Sequence, residues 1–224
     1  MTTDIEVPSE VVSDESPAEA LRARIEQRIN VPPWILLIQL FIGFGWIRAV
    51  VEKVIDFSWW NGEVLSGFLL EHADLTLSWY QPLLDAMVEP NLIMVSIVVV
   101  LAQIVAGVTL LSGRRVLLGL AVGSLLNLNF IAAGAVSPSV FYLICQASVL
   151  LWILHGEDGV KKRPLRLLAT ASSAVALLNL PFVSTFDPQA VIEDPATILV
   201  TFGVLTAVAS SAGVRSSTTA RLTG

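Results

Sequence analysis

Charge is scarce in this chain. Only 14% of its 224 residues are Asp, Glu, Lys or Arg, against roughly 25% in an ordinary soluble domain. So few charged side chains cannot coat a globule of this size, which excludes a soluble fold. Cysteine is scarcer still. The single Cys145 lies inside an apolar run, so no intrachain disulfide, no CxxC redox pair and no cysteine-based metal site can be built. The two histidines, His72 and His155, fall in breaks between apolar runs, on opposite sides of the layout below. This chain alone therefore does not converge two axial ligands on one haem iron. A Walker motif, a GxGxxG following a strand, HExxH and GxSxG are all missing. No row of intramembrane carboxylates marks a proton-driven pump, and nothing points to nucleic acid.

What is present is apolar: 54% of residues are hydrophobic and the mean hydropathy is +0.75. Six apolar stretches predict six membrane-spanning helices, at about 34–51, 92–111, 116–136, 139–154, 167–183 and 196–214. At about 1.5 Å per residue, the 18 or so residues of the first give about 27 Å, enough for a slightly thinned hydrocarbon core. Pro90-Asn91 reads as the start of the second span, Ser137-Pro138 as the tight turn before the fourth, and Asp194-Pro195 as the cap of the sixth. Gly119-x-x-x-Gly123 in the third, and the Ala/Ser-rich fifth, suit close helix packing.

The breaks alternate between basic and base-free. Of the 13 Lys and Arg residues, all but Arg48 and Lys53 fall on one side of this layout: Arg22, Arg24, Arg28, Arg114, Arg115, Lys161, Lys162, Arg163, Arg166, Arg215 and Arg221. The positive-inside bias makes that side cytoplasmic, with both termini there. The expected fold class is an all-α polytopic membrane bundle. Residues 1–16 read as a disordered acidic tail without a cleavable signal, and 17–31 as a basic amphipathic juxtamembrane helix with Leu21, Ile25 and Ile29 on one face. Residues 32–155 form a four-helix membrane domain whose outer connection, 52–90, carries short amphipathic helices. Residues 156–214 add two further membrane helices, and 215–224 a cytoplasmic tail.

Arg48 stands about one turn inside the outer end of the first span, with Glu52 at i+4 and Lys53 beside it. It pairs with Glu52 at the headgroups, or else Arg48 and Lys53 face the bundle and hold an anionic or carbonyl-bearing ligand. Gln39, Gln103, Asn127 and Asn129 are amides that lipid cannot satisfy, so each should face another helix or an internal pocket. Asn127 and Asn129 lie on different faces of their helix.

Several stretches carry a likeness to a known family: GFGWIRAVVEKVID, WWNGEVLSGFL, AQIVAGVTLLSGRR and NLNFIAAGAVSPS. With Lys53, Gly107, Gly113, Arg115, Asn129 and Gly134 at matching positions, residues 34–154 resemble the DoxX/DoxD-like membrane proteins, which include the DoxD subunit of thiosulfate:quinone oxidoreductase. Gln103 stands where relatives often carry Glu, and the last two helices and the acidic extension lie outside the usual module. The resemblance implies the membrane subunit of a quinone-linked oxidoreductase in a prokaryotic inner membrane. Arg48, Glu52, Lys53, Gln103 and Asn129 would be its quinone- or substrate-binding candidates. Quinone would be a co-substrate, with no covalent cofactor and no metal, and a redox partner subunit would dock on the outer face. The alternatives are a non-catalytic assembly or accessory subunit and a small-solute transporter.

Overall fold

Long apolar runs with no water to satisfy their backbone must become helices, and the structure, a computed structural model, holds helices and turns and no strand among its described residues. These are 31–156, 161–185 and 193–222, with 215–222 as backbone only. The acidic tail, the juxtamembrane helix but for Val31, the side chains of the C-terminal tail and part of the 184–194 loop lie outside them. The described residues from Trp34 onward form one unit.

Among the described residues nine α-helices follow in order: α1 (Pro33–Ile55), α2 (Phe57–Trp60), α3 (Glu63–Glu71), α4 (Gln81–Leu83), α5 (Leu92–Ser112), α6 (Val116–Ala132), α7 (Val136–Leu154), α8 (Lys162–Asn179) and α9 (Pro195–Leu222). Among the described residues five stretches are long and apolar enough to cross a membrane, Pro33–Ile55, Gln81–Ser112, Val136–Leu154, Lys162–Phe182 and Pro195–Val214, while the apolar α6 is shorter. The protein is a multi-pass membrane protein. Its outward apolar side chains, such as Leu37, Phe44, Leu125, Leu178 and Val208, are exposed as lipid-facing residues should be.

α5 begins at Leu92, just after Pro90-Asn91 as expected, though without a break in the helical chain before it. A π turn at Leu84–Val88 and a 3₁₀ turn at Glu89–Asn91 carry the chain continuously from α4 into α5. The wider turn accommodates the proline, and the Asn91 amide donates to the Met87 carbonyl at 2.9 Å. The turn before α7 lies at 133–135, upstream of Ser137-Pro138. Gly134 adopts φ +95°, its N–H reaches Ile131 O, and Ala135 N–H reaches Phe130 O. That paired closure is the Schellman arrangement, which favours glycine at its left-handed position. Pro138 then falls in the first turn of α7, where no intrahelical N–H is needed.

The connection between α1 and α5 folds back onto the bundle. Val64, Leu65, Phe68 and Leu69 lie in α3, as their spacing predicts. Leu77 N–H donates to Ala132 O at 3.0 Å, and the Thr76 hydroxyl to Ala133 O at 3.2 Å. Leu77, Tyr80 and Leu84 thereby join Ile131, Val136, Leu143 and Leu199 in one buried cluster. At the far end of α8, Asp194 ties two helices together. It accepts from Ala196 N–H and the Thr197 hydroxyl in the first turn of α9, and from Ser184 N–H beyond α8.

Candidate functional site

Arg48 and Glu52 meet across one turn of α1, Nε to Oε1 at 2.8 Å, both largely exposed. Lys53, next in sequence, points elsewhere. Its half-buried ammonium lies 4.9 Å from the centre of the Trp59 ring and reaches the Ala49 carbonyl at 3.4 Å, and it forms no ion pair among the described residues. Trp59 is fixed there because Asp56 caps α2, accepting from Ser58 N–H at 2.9 Å, and because its own Nε1 donates to Ser96 O of α5. Hydrogen bonds from Ser58 hold the Asp56 carboxyl below the usual range. Trp59 is thus a buried strut between α2 and α5.

The other candidates lie on other helices. Gln103 is buried in the middle of α5 and its Oε1 has no partner. Asn129 belongs to the docked connection: its Oδ1 accepts from the Tyr80 hydroxyl at 2.6 Å and its Nδ2 donates to Leu125 O. Burial raises the Tyr80 phenol above its ordinary value, so it remains a donor at neutral pH. Arg48 and Glu52 are in contact, and Gln103 and Asn129 make no bond to either of them or to Lys53.

The amides do face inward. Gln39 donates to Leu110 O at 2.7 Å, and buried Asn127 donates to Gln146 Oε1 at 3.3 Å. Gln146 also accepts from the Ser124 hydroxyl at 2.9 Å, which leaves its Nε2 and the nearby indole Nε1 of Trp46 without acceptors. Both nitrogens lie close to Gly123, at 2.5 and 2.9 Å from where a Cβ would stand. Gln146 is absent from the sequence-derived amides, although it is an amide in an apolar run like the others.

A cavity of about 270 Å³ separates α6 and α7 from α8 and α9. Its walls are mostly Leu and Ala, with Val175 and Phe202, and three hydroxyls face it: Ser124, Ser172 and Thr206. Single hydroxyls in apolar runs are common in membrane helices, so no sequence signal picks these out. No group of His, Cys, Asp and Glu among the described residues could hold a metal. No family model, curated protein or solved structure matches this chain.

Proposed function

We propose that the protein is the membrane subunit of a quinone-linked oxidoreductase, of DoxX/DoxD-like type, binding an anionic substrate near its outer face. Lys53 carries the reading. An ammonium at the end of an apolar helix, seated on an indole and in no ion pair among the described residues, can donate to an anion or a carbonyl oxygen. Neighbouring Arg48 is engaged by Glu52 and is the weaker candidate. Gln103 and Asn129 lie on other helices and would support the bound substrate from there.

Reducing a quinone to its quinol takes two electrons and two protons. Two thiosulfate anions joined through a new S–S bond release two electrons, and protons come from solvent at the outer face. In this reading all six apolar helices cross a prokaryotic inner membrane, with the basic segments inside and 52–90 outside. α6, at about 25 Å, crosses where the bilayer thins locally.

The test is turnover of thiosulfate with a short-chain quinone by the purified protein in a bilayer. Lys53→Ala should weaken substrate affinity about tenfold or more, the equivalent of one charge-assisted hydrogen bond. A wild-type protein that neither turns over nor binds quinone rejects the reading. Full affinity in Lys53→Ala rejects the site alone. The exposed Arg48–Glu52 pair favours a second reading, an accessory subunit anchored at the headgroups, which predicts a co-purifying redox complex whose activity is unchanged by Lys53→Ala.

A further inference from the structure

Four buried side-chain polar atoms have no hydrogen-bond partner among the described residues: Trp46 Nε1, Ser96 Oγ, Gln103 Oε1 and Gln146 Nε2. A polar atom left unpaired in an apolar interior bears its whole desolvation penalty, so each of these needs a physical account. Trp46, Gln103 and Gln146 fall near the middle of α1, α5 and α7, far from headgroups and bulk water.

Two of the four atoms are donors that converge. Gln146 Nε2 and Trp46 Nε1 lie 2.5 and 2.9 Å from the point where a Cβ of Gly123 would stand, so at most the sum of those distances separates them. Two N–H···O bonds of about 2.9 Å meeting at one oxygen can cover that span. Their residues are 1% and 5% exposed. The orientation of the Gln146 amide is fixed, because its Oε1 accepts from both the Ser124 hydroxyl and the Asn127 amide.

The acceptor among the four stands at the same level. A Cβ at Gly107 of α5 would lie 3.3 Å from Gly43 O of α1, and one at Gly119 of α6 would lie 3.1 Å from Ala106 O of α5. α5 and α6 run antiparallel, joined through residues 113–115. Gln103 is one turn before Gly107 and Gly123 one turn after Gly119, so the two share one layer of the bundle. Ser96 Oγ is two turns away along α5 and belongs to another layer.

We propose that this layer of the core formed by α1, α5, α6 and α7 binds one water molecule, which accepts from Trp46 Nε1 and Gln146 Nε2 and donates to Gln103 Oε1. The donor and acceptor set selects the occupant. It calls for a group that accepts twice and also donates, and a buried water typically makes about three hydrogen bonds. A halide cannot donate, and among uncharged amides and an indole it would carry a prohibitive desolvation cost. A carbonyl oxygen cannot donate either and would leave Gln103 Oε1 orphaned. Through the water, α1 is tied by hydrogen bonds to α5 and α7. The inference involves neither Lys53 nor a substrate and stands without the outer site.

The experiment is nuclear magnetic resonance on the full chain in nanodiscs, with nitrogen-15 in tryptophan alone. Six tryptophans give six indole N–H signals, and Trp46→Phe identifies the one from Trp46. That proton should show a rotating-frame Overhauser cross-peak to a long-lived water, with the sign of dipolar contact and not of exchange. Gln146→Leu removes the second donor and should lose the cross-peak while the Trp46 signal persists. Sodium bromide, the anion probe, should leave the signal unmoved. No water cross-peak in the wild type overturns the proposal. So does a Trp46 signal that shifts with bromide, which describes an anion site, or a cross-peak unchanged in Gln146→Leu. If that variant does not fold, a crystal structure of the wild type decides. Density for one oxygen within about 3.2 Å of both nitrogens supports the proposal, and its absence overturns it.

Discussion

At the residue scale, glycines measure how closely this bundle is packed. Gly203 lets α9 meet the α8 backbone, and an added methyl would stand 2.6 Å from Ser172 O and 3.0 Å from Ala176 N. Backbone atoms cannot rotate away, so the helices must separate. Gly203→Ala should cost about 1–3 kcal/mol despite the better helix propensity of alanine. Gly67, in α3, has nothing within 4 Å of its would-be Cβ, and Gly67→Ala should gain about 0.5–1 kcal/mol. Thermal unfolding of both variants in one detergent checks the pair, and opposite signs are required. The residue scale is also where the sequence is most uneven as a guide. Arg48–Glu52 is legible because i,i+4 neighbours on a helix meet whatever else happens. The inward placement of Gln39, Gln103 and Asn127 is legible because lipid offers amides no partner. Lys53 on Trp59 is not legible, because it depends on a chain reversal at Asp56.

At the element scale, helix existence follows from hydropathy and helix ends follow from local chemistry. Ser137-Pro138 satisfies the rule for a helix start, yet Gly134 closes α6 first, because its left-handed conformation pairs two otherwise orphaned carbonyls. Pro90 satisfies the same rule and is followed by the start of α5 at Leu92, its missing N–H falling in the first turn of a 3₁₀ segment, where none is needed. The outcome at Gly134 turns on backbone geometry that residue types permit without dictating. Asp194 is another end where rule and structure agree. Its carboxylate accepts three hydrogen bonds, one of them from beyond α8, so it fastens as well as caps. Asp194→Ala should destabilise the protein by about 2 kcal/mol, at the upper end for a lost cap, while Asp194→Asn should recover more than half of that. Unfolding midpoints decide this, and an alanine variant as stable as the wild type would mean that the α8–α9 end is held by packing alone.

At the scale of the whole molecule, the open question is whether α6 crosses. Its 17 residues span about 25 Å, against a hydrocarbon thickness of about 30 Å, and on length alone it could be left out. Its two ends argue otherwise. The start of α6 is joined to the end of α5 through residues 113–115. The carbonyls at and just beyond its own end, Ala132 and Ala133, accept from Leu77 and Thr76, which precede the other end of the α4–α5 stretch. A helix bonded in this way at both ends runs back alongside the whole of α5. Charge agrees: if α6 stayed on one side, Lys161, Lys162, Arg163 and Arg166 would be moved across the membrane from Arg114 and Arg115, against the positive-inside bias. Single cysteines placed at 61, 113, 161 and 185 in a Cys145→Ala background should therefore label in two groups. Those at 61 and 185 should react with a membrane-impermeant maleimide from outside intact cells, and those at 113 and 161 only after the cells are opened. A cysteine at 161 that labels from outside while 113 does not would leave α6 on one side, reverse α8 and α9, and remove the basis for the six-helix layout.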